Sequence, residues 1–150
     1  MELILWRHAD AEPGEPDAAR ALTAKGKRQA RKMGEWLDRH LPGTCRILSS
    51  PAVRCIQTAH ALGREFIIEP ALGIDSELET MIAASGWPGG RGPVLLVGHQ
   101  PLLGQAAALL MTGQKQDWRV RKAGFIWLAQ KPGPAAQIYI RAVLGADLLR

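Results

Sequence analysis

Leu3-Ile4-Leu5-Trp6-Arg7-His8 places two basic residues directly after a four-residue apolar run. A short apolar run cut off by polar residues reads as a buried strand. In an open α/β sheet, ligands gather just beyond the carboxyl ends of the strands. A guanidinium beside an imidazole at such an end suits an anion, and a neutral imidazole there can also attack one. A solvated strand end gives the same two residues, so the pair acquires meaning only if the rest of the chain supplies partners.

The remaining chain alternates strand and helix signals. Thr23 is an N-cap for a helix over 24–40, whose apolar positions Ala30, Met33 and Leu37 follow helical spacing. Gly43 closes that segment, and Arg46-Ile47-Leu48 reads as a second strand. Ser50 caps a helix opened by Pro51, with Cys55, Ile56, Ala59 and Leu62 as its buried stripe. Phe66-Ile67-Ile68 is a third strand, followed by a short helix over 75–84 that ends at Gly86. Residues 87–93 are a Pro/Gly loop, and Val94-Leu95-Leu96-Val97 is the clearest central strand. Pro101 opens a helix through about Met111. Residues 124–129 and 136–143 are two final strands joined by a turn over 131–134. Strands alternating with helices predict an α/β chain: a three-layer α/β/α arrangement with a mainly parallel central sheet, built as one domain over 1–150.

Composition sets the outer limits. The 150 residues are 47% hydrophobic and 22% charged, with a formal net charge of +5. These are the proportions of a globular chain with a real core and a preference for anionic partners. The basic run Lys25, Lys27, Arg28, Arg31, Lys32 and Arg39 reads as a solvated helix face. No nucleic-acid motif accompanies Arg119-Val120-Arg121-Lys122, so nucleic acid is not the expected partner. No apolar stretch reaches membrane-spanning length and Glu2 follows Met1, which points to a cytoplasmic protein without a signal peptide. The sequence does not reveal an oligomeric state, and a monomer is the default. Cys45 and Cys55 are buried fillers, and neither they nor the four histidines have metal-ligand spacing.

Three strand ends carry chemistry. The first leads to Arg7-His8, the second to Ser49-Ser50-Pro51 with Arg54 in the next helical turn, and the central one to Gly98-His99. Parallel strands put these ends on one edge. Helical side chains lean toward the amino terminus, so Arg54 reaches back over that edge. Two arginines and two histidines then converge beside a helix amino terminus, an anion site in which arginine forks suit phosphate oxygens.

The motifs here resemble those of the histidine phosphatase (phosphoglycerate mutase-like) superfamily. Arg7-His8-Ala9 resembles its Arg-His-Gly signature, with alanine in the glycine position. The segment 22–30 matches its Leu-Thr-x-x-Gly-x-x-Gln-Ala element through Leu22, Thr23, Gly26, Gln29 and Ala30. The segment 49–59 matches Ser-Ser-Pro-x-x-Arg-x-x-Gln-Thr-Ala through Ser49, Ser50, Pro51, Arg54, Gln57, Thr58 and Ala59. Val97-Gly98-His99 matches the strand-Gly-His element, and all four occur in family order. The resemblance implies a phosphoglycerate mutase-like fold and a covalent mechanism without metal or other cofactor. His8 would be the nucleophile, with Arg7, Arg54 and His99 as phosphoryl-binding catalytic partners. Read on their own, Thr23 and Ser50 are caps, and Gly26 and Gln29 are packing residues.

Two departures narrow the substrate. No large insertion lies between Thr58 and His99, the region that roofs the pocket in the family's small-molecule enzymes, so an open site is expected. The general acid implied by the family has candidates in Asp75 and Glu77, with Glu79, Asp10 and Glu12 behind them. The carboxylates at 75–79 also suit a helix amino terminus. The compact chain and its Arg-His-Ala-Asp-Ala-Glu opening resemble the SixA-type phosphohistidine phosphatases, which implies a phosphorylated protein as substrate. The alternatives are a phosphomonoesterase acting on small phosphate esters and a catalytically weak phosphoprotein-binding module.

Overall fold

The structure is a computed structural model describing residues 1–90, 92–133 and 137–150. Arg91 of the Pro/Gly loop, Pro134 of the expected turn and residue 136 of the expected last strand lie outside the described residues. Six strands form one sheet: β1 (Glu2–Arg7), β2 (Arg46–Ser49), β3 (Ile67–Ile68), β4 (Val94–Gly98), β5 (Phe125–Gln130) and β6 (Ile138–Leu144). Their order is β3-β2-β4-β1-β5-β6. The first four are parallel, whereas β5 runs antiparallel to β1 and β6 antiparallel to β5. The central sheet is therefore mixed, with its parallel part carrying the three marked strand ends.

Helices α1 (Ala24–His40), α2 (Val53–His60), α3 (Leu78–Ser85) and α4 (Leu102–Thr112) cover both faces. Strand alternation divides the core into two layers. Ile4, Trp6, Ile47, Leu95 and Val97 face α1 and α2, packing with Met33, Leu37, Cys55 and Ala59. Leu3, Leu5, Leu48, Val94 and Leu96 face the other way, packing with Met81, Leu103 and Ala107 of α3 and α4. Both cysteines are buried and free. No helix among the described residues is long and apolar enough to cross a membrane.

Local sequence explains most boundaries. Thr23 caps α1 through its hydroxyl, which accepts from the Gly26 amide at 2.9 Å. Gly86 and Gly113 end α3 and α4 in the left-handed conformation that glycine adopts at little cost. Two expected starts shift. Helix α2 begins at Val53 rather than Pro51, because the chain bends at Pro51 and Ala52, with Ala52 in an extended conformation as the N-cap and the Ser50 hydroxyl engaged by His99. Helix α3 begins at Leu78, because Glu77 is extended (φ −103°, ψ 156°) and stands as its N-cap residue.

Candidate active site

The sheet register aligns the three strand ends. Arg7 pairs with Gly98, Trp6 with Val97 and Ser49 with Val97. The ladder continues one step beyond the strands, with the His8 amide donating to the Gly98 carbonyl at 3.1 Å and the Ser50 amide to Val97 at 3.0 Å. On the antiparallel side the Ala123 amide donates to the His8 carbonyl at 3.0 Å. His8 is thus held from both neighbours, which gives its ring a rigid base.

The motif residues around this edge fasten the loop that follows His8. The Ala9 amide donates to the Thr58 hydroxyl at 3.1 Å, the Asp10 amide to Gln29 Oε1 at 3.0 Å and the Leu22 amide to Gln57 Oε1 at 2.7 Å. Gly26 lets α1 lie directly on this loop, since a Cβ there would come within 1.9 Å of the Asp10 carbonyl oxygen. Gln29, read from sequence as packing, is a polar tie to the nucleophile loop.

Arg7, His8, Arg54 and His99 line one pocket of about 300 Å³, together with Asp17, Arg20, Gln100 and Lys122. His8 Nδ1 lies 2.7 Å from the Ala9 carbonyl. A carbonyl only accepts, so Nδ1 carries the proton and Nε2 keeps its lone pair. Burial pushes the His8 pKa down to about 3, assisted by the nearby His99, Arg54 and Arg7 and opposed by the Ala9 hydrogen bond. The ring is neutral across the physiological range.

His99 sits with its ring centroid 5.4 Å from that of His8. Its Nδ1 faces Arg54 Nη2 at 3.3 Å, and its Nε2 lies 2.8 Å from the Ser50 hydroxyl. A guanidinium only donates, so Nδ1 accepts and Nε2–H donates to Ser50. Burial, then Arg54 and Arg7, lower the His99 pKa to about 4, with Asp17 acting in the opposite sense. Ser50, expected as a helix cap, positions His99. Cys55 Sγ is 3.5 Å from the same ring nitrogen, and burial holds its thiol protonated, with a pKa raised to about 12.

The arginines supply the positive field. Arg54 is 5% exposed and donates from Nη1 to the Asp17 carbonyl at 2.8 Å and from Nη2 to Asp17 Oδ2 at 3.0 Å. Arg7 donates from Nη1 to the Val120 carbonyl at 3.0 Å. The Nε groups of both are buried and have no acceptor among the described residues. Desolvation and the like charges of Arg119 and Arg54 lower the Arg7 pKa. Four cationic side chains face one carboxylate in this pocket, an arrangement suited to a multiply charged anion.

The carboxylates are distributed differently. Asp75 and Glu77 line a neighbouring groove with Ala71, Ser76 and Thr80, and that groove shares only Ile74 with the His8 pocket. Glu79 is exposed on α3. Asp10 accepts from Lys122 Nζ at 2.7 Å and from the Thr23 hydroxyl at 2.8 Å. Glu12 lines a separate surface pocket with Pro13 and Arg20. Asp17, in the segment between β1 and α1, is the carboxylate inside the His8 pocket. Hydrogen bonds from Arg20 and then Arg54 hold its pKa below the usual carboxylate range. Among the described residues no cluster of three or more His, Cys, Asp or Glu side chains is placed to hold a metal.

The family model of the histidine phosphatase superfamily (branch 1) matches residues 3–79. A phosphohistidine phosphatase SixA homolog of Haemophilus influenzae is 32% identical over 136 residues, covering 73% of this chain and 77% of the relative. The chain belongs to the histidine phosphatase superfamily. Phosphohistidine phosphatase SixA of Escherichia coli is 29% identical over 129 residues, covering 76% of each chain. Among solved structures, the histidine phosphatase SixA in complex with tungstate superposes over all of both chains, with a TM-score of 0.81 and 22% identity. A mycobacterial glucosyl-3-phosphoglycerate phosphatase covers 94% of this chain and 97% of its own, with a TM-score of 0.68 and 18% identity. At these identities the structural likenesses establish a shared fold. Proteins that share this fold thus include one named as a phosphatase of a small phosphate ester.

Proposed function

We propose that this histidine phosphatase removes phosphoryl groups from histidine on a phosphorylated protein, through a phosphoenzyme formed at His8. The observation that carries the reading is the tethered, neutral His8 ring in a cationic pocket whose carboxylate, Asp17, is committed to Arg54 and Arg20. The two SixA relatives support the substrate class.

In the first step His8 Nε2 forms a bond to phosphorus as the substrate P–N bond breaks, and the electron pair leaves with the substrate nitrogen. With the second nitrogen of the substrate ring protonated, that ring departs as neutral imidazole. An alkoxide leaving group needs a proton at this point, and a positioned acid contributes about 10²–10⁴ in rate. Asp17 is ionised by its two arginines and His99 is neutral, so neither is a ready donor at neutral pH. Arg7, Arg54 and His99 stabilise charge on the transferred oxygens.

In the second step water attacks phosphorus, His8 departs, and a water proton passes to the phosphate product. The Ala9 carbonyl keeps the proton on His8 Nδ1, so His8 also departs as a neutral ring. Comparing turnover of a phosphohistidine protein with that of a phosphoserine peptide and sugar phosphates tests the reading. A preference of at least about 10²-fold for phosphohistidine is expected from the missing acid. Preference for the esters, lost on replacing Asp75 or Glu77, would overturn it in favour of a small-ester phosphatase.

A further inference from the structure

A second cavity of about 230 Å³ opens beside the active site and shares Arg7 and Lys122 with it. Lys25, Arg119 and Arg121 complete its cationic lining against the carboxylates of Asp10 and Asp147. Both carboxylates are already engaged, Asp10 by Lys122 at 2.7 Å and Asp147 by Arg121 at 3.0 Å. Among the described residues neither Lys25 nor Arg119 forms an ion pair, and both are exposed. The excess charge is sensed at the active site, where Arg119 is the foremost charged cause of the lowered Arg7 pKa.

This excess has no use in the chemistry derived above. Lys25 and Arg119 lie outside the His8 pocket, while crowding like charges there costs free energy in the unbound protein. Helix α1 extends the same field, with the exposed Arg28 and Lys32 following Lys25 at i+3 and i+7, on the same side of the helix. The positive strip therefore runs from the phosphoryl pocket outward over the surface. That direction fits a substrate whose reacting group projects from a larger acidic body.

We propose that the groove lined by Lys25, Arg119 and Arg121 is a docking surface for an acidic patch on the phosphohistidine-bearing protein. This inference rests on the function proposed above. Docking of this kind acts mainly on association, which electrostatic steering raises and salt weakens.

The test is charge reversal in the full chain, using Lys25→Glu, Arg119→Glu and the double variant. The two probes are a histidine-phosphotransfer domain phosphorylated with phosphoramidate, and free phosphohistidine. With the protein probe at low salt, kcat/KM is expected to fall about tenfold or more in the double variant, and its salt dependence to flatten. With free phosphohistidine, which is too small to span the groove, kcat is expected to stay within about twofold of the unaltered enzyme, which also reports an intact fold, and kcat/KM to fall several-fold less than with the protein probe. Equal loss on both probes, or no loss on the protein probe, overturns the docking surface while leaving the phosphohistidine reading in place. Failure of the unaltered enzyme on both probes overturns the two together.

Discussion

Arg54 spans Asp17 and the active-site imidazole: its Nη1 and Nη2 donate to the Asp17 carbonyl and carboxylate at 2.8 and 3.0 Å, and Nη2 also faces His99 Nδ1 at 3.3 Å. Asp17 thereby aims the guanidinium and at the same time puts a negative charge in the pocket where the phosphoryl group must bind. The two effects separate by mutation. Asp17→Asn keeps a hydrogen-bond acceptor and removes the charge, so inorganic phosphate should inhibit about three- to tenfold more strongly. Asp17→Ala removes both, and kcat should fall as Arg54 loses its orientation. Phosphate inhibition constants measured beside kcat check both directions. Weaker phosphate binding in Asp17→Asn would contradict this role.

Ser50 should behave as a positioning residue through His99. Ser50→Ala leaves the His99 Nε2–H without its 2.8 Å acceptor, and an unsatisfied buried donor costs about 1–3 kcal/mol. The expected result is about a tenfold lower kcat with KM nearly unchanged. Ser50→Thr should recover most of it, and steady-state kinetics of the three proteins test the point. Equal kcat in Ser50→Ala and the unaltered enzyme would remove Ser50 from the mechanism.

The two buried histidines set a pH signature. His8 and His99 titrate near 3 and 4 in the folded protein but near 6.5 when unfolded. Between those values the unfolded chain binds more protons, so stability rises with pH. Acidification from pH 6.5 therefore lowers stability progressively, until the folded pKa values are reached. The slope approaches about 1.4 kcal/mol per pH unit for each histidine. Urea unfolding at pH 7 and pH 5 should show this loss, and His8→Asn should reduce it. For activity, the acid limb of kcat/KM from nucleophile protonation should lie well below pH 6. A limb centred at 6.5 would mean that His8 is not buried and neutral as described.

Gly26 carries a steric prediction. Alanine there would force its Cβ to within 1.9 Å of the Asp10 carbonyl oxygen, which belongs to the loop anchored beside His8. Backbone must move, so Gly26→Ala should destabilise by about 2–3 kcal/mol and depress activity as well. Denaturant unfolding and kinetics measured together check it. An unaltered midpoint would show that α1 and the loop are not in this close contact.

Much of this geometry was legible in the chain because short-range rules govern it. Thr23 and the spacing of Ala30, Met33 and Leu37 give α1 the bounds that periodicity predicts. Apolar runs ending at Arg7, Ser49 and Gly98 put Arg7, His8, Arg54 and His99 at one edge, because parallel strands must align there. Asp17 was not legible: its loop has no periodicity, and its contact with Arg54 bridges 37 positions. Ser50 was read as a cap because Ser-Pro is a local helix-start signal, and the competing bond to His99 is tertiary. The groove at Lys25 and Arg119 was hidden for the same reason, since α1 and the segment before β5 meet only in the fold.

The most direct test of the central claim is to trap the phosphoenzyme. The enzyme is mixed with a phosphorylated histidine-phosphotransfer domain, quenched within milliseconds in alkali and mapped by peptide mass spectrometry. The phosphoryl group should lie on the peptide containing His8, survive alkali, be lost in acid and be absent from a folded, inactive His8→Asn variant. Phosphoryl transfer to another residue such as His99, or retained turnover in His8→Asn, would contradict His8 as the nucleophile.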